Sequence, residues 1–148
     1  MPTSFDEIID IALVTVRDYK LDKLFNQSEQ NFITYCDGFL VSAIPNFTQC
    51  QQSLSYNLEN REFEVTLTEL EKRILSDLWV IAWWEKELQD ASQIQAKLQV
   101  SSSFTSHSAA QNLKEKATYL DGLREKVRQK ITDYQLQNIL NQDVFKGW

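Results

Sequence analysis

An all-α fold, a small bundle of four main helices, is what this 148-residue sequence predicts, and three observations carry the prediction. The chain holds only three glycines and two prolines, whereas β folds need such residues at many turns. Apolar residues recur at helical spacing over most of its length. Ser and Thr followed three residues later by Glu, the pattern in which a hydroxyl and a carboxylate satisfy free helix amides, mark two helix starts. With 43% hydrophobic and 24% charged residues the composition is that of a globular domain, large enough for one core without staples.

The first helix is expected over residues 5–18. Ser4 to Glu7 forms its capping box, and Phe5, Ile8, Ile9, Ala12, Leu13 and Val16 form its apolar face. Residues 19–27 read as a polar connection anchored by Leu21, Leu24 and Phe25. Ser28 caps a second helix over 28–44 with Phe32, Tyr35 or Cys36, Phe39, Leu40 and Ala43 on one face, and Pro45 stops it. Residues 46–66 scatter their apolar side chains and read as a long compact loop, with at most a short helical turn.

The third helix, expected over 67–90, opens on a second capping box from Thr68 to Glu71. Leu70, Ile74, Leu78, Ile81 and Leu88 with Ala82 make one face, and Trp79, Val80, Trp83 and Trp84 widen the apolar arc. An arc this wide implies burial on more than one side. A frayed extension over 91–100 and a hydroxyl-rich break from Ser101 to Ser108 lead to the last helix, expected over 106–135. There Leu113, Ala117, Leu120, Val127, Ile131 and Tyr134 make a heptad-like seam, which pairs with the third helix in the expected core. The division expected is a helical domain over 1–137 and an extended C-terminal tail over 138–148.

Several classes of function fall away. A net charge of −6 argues against a protein that grips phosphates with clustered Lys and Arg. The longest uninterrupted apolar run, Leu78 to Trp84, is far short of the roughly 20 residues that span a bilayer. The start of the chain is acidic, unlike a signal peptide. Cys36 and Cys50 make no disulfide framework; two reduced thiols inside a cell are expected, with a Cys36–Cys50 bridge as the alternative.

Catalytic chemistry finds no anchor either. His107, the single histidine, lies among serines without an orienting partner, so no triad is expected. No Cys-x-x-Cys or other ligand spacing suggests a metal. Gly38, Gly122 and Gly147 are too dispersed to form a phosphate-cradling loop. Glu69, Glu71, Glu85 and Glu87 read as carboxylates on solvated helix faces. The expectation is a protein that is not an enzyme, with neither cofactor nor metal. Its functional residues are then interface residues: Trp79 and Trp84, which cannot easily share one core with Trp83, and the tail residues Ile139, Leu140, Val144, Phe145 and Trp148.

Three stretches carry a resemblance. They are Tyr35 to Phe47 (Tyr-Cys-Asp-Gly-Phe-Leu-Val-Ser-Ala-Ile-Pro-Asn-Phe) with Cys50 after it, the spaced set Phe63, Leu67, Glu71, Ile74, Leu75, Leu78, Trp79, Val80 and Trp83, and Phe104 to Leu113. Together they resemble the helical head–tail connector proteins, also called adaptors or neck proteins, of tailed bacteriophages, over about residues 5–135. The Trp83-Trp84-Glu85 sequence and the longer polar region over 89–103 depart from the pattern.

The resemblance implies a structural virion protein. It implies a homo-oligomeric ring, typically a dodecamer, under the portal protein at the neck of a virion assembled in the host cytoplasm. Such a ring extends the DNA channel, through which the genome passes without sequence-specific binding, and docks a head-closure or tail-completion protein. The family's C-terminal segments reach into the portal ring, which gives the tail an expected destination. A helical interaction or regulatory module with no virion role is the alternative, and an acidic DNA mimic is disfavoured because acidic and basic residues alternate.

Overall fold

The computed structural model describes the backbone of residues 1–16, 19–101 and 103–146, and the side chains of residues 1–16, 19–94, 96 and 110–141. It is mostly helical. The described residues hold five helices rather than four: α1 (Phe5–Thr15), α2 (Tyr19–Gln27), α3 (Glu29–Ala43), α4 (Glu69–Ser101) and α5 (Ser103–Lys146). A 3-10 turn, Ile44–Asn46, and two short strands, β1 (Tyr56–Asn57) and β2 (Glu62–Phe63), lie between α3 and α4. None of these helices is long and apolar enough to cross a membrane.

The capping signals are realised as hydrogen bonds. The Ser4 amide donates to Glu7 Oε2 at 2.8 Å while the Glu7 amide donates to Ser4 Oγ at 3.3 Å, starting α1. Helix α1 stops at Thr15 rather than at residue 18, because Val14, Thr15 and Val16 form a β-branched run and Val16 is extended and buried. Residues 19–27 are helix α2, not a connection. Its buried contribution is Leu21 alone, so its periodicity is faint, but Phe25 meets Phe32 of α3 edge to face at 5.3 Å. Ser28 closes α2 and opens α3: its amide donates to the Leu24 carbonyl at 2.9 Å, and its hydroxyl accepts from the Asn31 amide at 3.2 Å.

The long loop contains an antiparallel hairpin in which Tyr56 faces Phe63 and Asn57 faces Glu62. The chain start ties it down. The Thr3 amide donates to the Val65 carbonyl at 3.1 Å, the Phe63 amide to the Thr3 carbonyl at 2.8 Å, and the Leu67 amide to the Thr3 hydroxyl at 2.8 Å.

Helix α4 is central, packing against α1, α3 and α5. This is why its apolar arc is so wide: Ile74, Leu75, Leu78, Trp79, Val80, Ile81 and Trp83 are all buried. Facing them from α5 are Leu120, Val127, Ile131 and Tyr134, while the expected core members Leu70 and Leu113 are half-buried. Arg124 to Glu85 at 3.1 Å and Lys130 to Asp77 at 2.5 Å flank the α4–α5 seam.

Both long helices exceed their expected bounds. Helix α4 continues to Ser101 and α5 already begins at Ser103, so hydroxyl-bearing residues expected to interrupt the chain are helical; Ser102 lies outside the described residues. The tail is not extended: the α5 backbone continues through residues 138–146, since no glycine or proline falls between Asp133 and Lys146 to stop it.

Candidate protein interface

The C-terminal half of α5 is fixed to the body by one buried carboxylate. Glu71, in the first turn of α4, is only 2% exposed, contrary to its reading as a solvated residue. Its Oε1 accepts from the Thr68 amide at 2.8 Å and from Gln52 Nε2 at 2.6 Å. Its Oε2 accepts from the Tyr134 hydroxyl at 2.7 Å and from Cys50 Sγ at 3.4 Å. The Tyr134 oxygen in turn accepts from the Gln51 amide at 2.9 Å, and the ring packs on Phe47 at 5.3 Å. Burial works to raise the pKa of Glu71, but these donors together outweigh it and hold the carboxyl below its ordinary value. Burial, with the carboxylate alongside, pushes the Tyr134 phenol up. The node joins α4, the loop at 50–52 and α5 at one point.

Beyond Tyr134 the helix turns an apolar face outward. Leu136, Ile139 and Leu140 are 52%, 53% and 56% exposed, and their spacing puts them on one side of α5. From Gln135 to Asn141 the sequence has no charged residue, whereas Lys126, Arg128, Lys130 and Asp133 precede it. Ile139 and Leu140 are therefore placed as a partner-seeking surface would place them. Leu136 belongs with them; its i, i+3, i+4 relation to them is legible in the sequence once the helix is known to continue. The side chains of Val144 and Phe145, and the whole of Trp148, lie outside the described residues.

The tryptophans divide differently from expectation. Trp79 is fully buried, its ring edge to face with Phe39 at 5.3 Å and its indole N–H donating to the Cys36 carbonyl at 2.9 Å. It is a core residue, closed to any partner, because α3 covers the stripe on which it lies. Trp84 is half-buried between Trp83, at 5.1 Å, and Tyr119 of α5, at 5.0 Å, at the edge of the α4–α5 seam.

A second exposed surface lies on α3. Ile33, Val41 and Leu58 line a groove of about 430 Å³ between α3 and the hairpin turn, with Gly38 in its wall. Arg61 closes one end. Its Nε and one Nη meet the two Asp37 oxygens at 2.7 and 2.8 Å, and the same Nη reaches Asp6 at 2.8 Å. The hydrogen bond to Asp37, against the opposing effect of burial, raises the guanidinium pKa still further above its usual value. Arg61 also has φ of 55°, a left-handed conformation uncommon for a side-chain-bearing residue, and its carbonyl accepts from the Phe5 amide at 2.8 Å. These ties hold the turn in place.

Cys36 and Cys50 are free thiols, so the bridged alternative does not apply. Burial pushes Cys36 up to about 12, helped by Asp37, and Cys50 up to about 11, so neither presents a thiolate near neutrality. The side chain of His107 lies outside the described residues. Among the described residues no group of three or more His, Cys, Asp or Glu is placed to hold a metal ion. What the arrangement offers is two unlike apolar surfaces on a helical body, an uncharged ridge on α5 and a groove on α3. In comparisons with known proteins, no family, no curated protein and no solved structure matches the chain.

Proposed function

We propose that this protein is a head–tail adaptor of a tailed bacteriophage, a structural and non-catalytic subunit that assembles as a ring, with twelve copies the expected number, beneath the portal protein. The observation that carries the reading is the presence of two unlike apolar surfaces, the α5 ridge and the α3 groove. A ring of identical subunits is joined head to tail, so each copy needs two different complementary surfaces rather than one self-complementary patch. A helical body with an apolar ridge on α5 and an apolar groove on α3 supplies two. The net charge of −6 supports the reading in a second way, since a channel wall without excess cations does not hold a passing genome by its phosphates. The all-α character of the chain, with α1, α3 and α5 packed on α4, is in keeping with such a subunit. Portal on one side and a head-closure or tail-completion protein on the other are the partners in this reading, and the virion neck is its location.

The test is native mass spectrometry and electron microscopy of the purified chain, alone and mixed with the portal protein of the genome that encodes it, the lack of any portal gene there counting against the proposal. A ring of chains seated on the portal is expected. A chain that stays monomeric or dimeric in the mixture overturns the proposal and favours the alternative, a helical interaction module outside a virion.

A further inference from the structure

Three turns of α3 and the hairpin turn beside them flank an elongated groove of about 430 Å³. From Gln30 to Val41 its α3 wall runs about 16 Å, the length of about five residues of extended chain. That shape suits a length of polypeptide better than a compact molecule. Its apolar surface comes from Ile33 and Val41 on α3 and from the exposed Leu58 on the turn. Gly38 lies between the two α3 residues, inside a helix, where only proline is a poorer helix former. No close packing accounts for it, because a Cβ built there meets nothing within 4 Å. What the glycine does is leave the groove open to an approaching chain.

The groove carries a surplus of negative charge. Asp37 and Glu59 line it, and the lining cation, Arg61, is shared between Asp37 at 2.7 Å and Asp6 at 2.8 Å. Neither α3 nor the hairpin contains any other basic residue. Glu59, and Glu62 and Glu64 just after it in the chain, make no ion pair among the described residues.

We infer that this groove binds a segment of a partner protein in which a lysine or arginine stands beside bulky apolar side chains. The inference goes beyond the adaptor reading and does not rest on it. Charge decides among the occupants. A wholly apolar segment would cover the floor but leave Glu59 without a partner, and an acidic one would add to the surplus. A cationic apolar segment supplies the missing partner while its apolar neighbours cover Ile33, Val41 and Leu58. The wall is built before the partner arrives. Arg61, at a φ of 55°, is held by both Asp37 oxygens, and its carbonyl accepts from the Phe5 amide at 2.8 Å, so the turn needs little ordering on binding.

The experiment selects displayed random peptides of about 12 residues, long enough to span the groove as strand or helix, on the full-length chain, and removes those that also bind Gly38→Leu. Position 38 faces open space and Glu59 is exposed, so Gly38→Leu and Glu59→Gln are both expected to melt no lower than the parent, which circular dichroism checks first. Should Gly38→Leu melt lower, Leu58→Ser, at an exposed position, replaces it in the counter-selection. Surviving peptides are expected to carry Lys or Arg next to Leu, Ile, Phe or Trp, and to be depleted in Asp and Glu relative to the unselected library. Replacing the cation of a selected peptide by glutamine should weaken binding by about fivefold, and Glu59→Gln should weaken the cationic peptide by a similar factor while leaving the glutamine peptide unchanged. The absence of any peptide that separates the parent from the counter-selecting variant would overturn the inference, as would survivors without a cation, which would give the groove to an apolar segment. Self-association of the parent that Gly38→Leu abolishes would give it to a second copy and overturn it likewise. The two proposals fail separately: rings on portal without peptide selection remove this inference alone, and peptide binding without any portal complex removes the adaptor reading alone.

Discussion

Replacing Glu71 by alanine or glutamine measures how far the α5 anchor depends on one carboxylate. In the native protein four donors converge on it: the Thr68 amide, Gln52, Tyr134 and Cys50. Hydrogen bonds to a charged group contribute about 1.5–3 kcal/mol each, but donors sharing one acceptor do not add. Truncation to alanine also leaves the Tyr134 hydroxyl, in a buried residue, without its acceptor. The combined loss for Glu71→Ala is about 3–5 kcal/mol, the range for removing one partner of a buried ionic network. Glu71→Gln keeps the shape and one accepting oxygen but turns a donor toward two of the former donors, so about 1–3 kcal/mol is expected.

Urea unfolding followed by circular dichroism reads both losses as a lowered midpoint at constant slope. The pH dependence supplies an independent check. The folded-state pKa of Glu71 lies below the 4.5 of an unperturbed carboxyl, so the folded protein binds fewer protons there than the unfolded chain. Its contribution is complete above that unfolded value and is lost as the pH falls through the folded pKa. The parent protein should therefore lose stability on acidification more steeply than Glu71→Gln, with the two curves converging at low pH. A Glu71→Gln midpoint equal to that of the parent at pH 7, or parallel acid limbs, would refute the account of the node.

Leu78→Ala is expected to cost about 2–5 kcal/mol and Trp79→Ala about 3–5 kcal/mol in the same unfolding assay, because both empty the face of α4 enclosed by α3 and α5. Arg61→Ala should lower the unfolding free energy by about 2–4 kcal/mol through the stranded Asp37 carboxylate, while Arg61→Gly costs less because glycine accepts the positive φ. Thiol labelling at pH 8 should be slow for Cys50 and slower for Cys36 until urea unfolds the chain; rapid labelling of both in the native protein would contradict their burial and raised pKa values. Leu136→Ser should change the unfolding free energy by no more than about 0.5 kcal/mol, since that side chain already faces water.

What could be read from the sequence was local. Ser4, Ser28 and Thr68 announce helix starts because their partners lie three residues away, and the stripe from Ile74 to Trp83 announces a helix buried on several sides by its width alone. What could not be read depends on residues distant in the chain. Glu71 looks like any first-turn carboxylate until Tyr134, 63 residues on, is brought to it. Arg61 gives no hint that it will bind Asp37 and Asp6 across the fold. Helix α2 escaped because only one of its residues is buried, and the true extent of α5 because serines that favour caps are also tolerated inside a helix. Of the residues expected at an interface, Ile139 and Leu140 are exposed. Trp79 does not, because the number of helices packed around α4 was not evident.

The single uninterrupted span of α5 makes it a lever. Its 44 residues extend about 66 Å, and among the described residues its buried side chains, Leu120, Val127, Ile131 and Tyr134, all precede Gln135. Among the described residues beyond Tyr134, Leu136, Ile139 and Leu140 face outward, and the α5 backbone runs about 18 Å from Tyr134 to Lys146. A bend of about 10° at Tyr134 therefore swings Lys146 by about 3 Å. Load applied to the C-terminal arm arrives as torque on the Glu71–Tyr134 bond, which lies where the buried side chains of α5 give way to that arm. The stiffness of that one contact sets how much of the motion passes through.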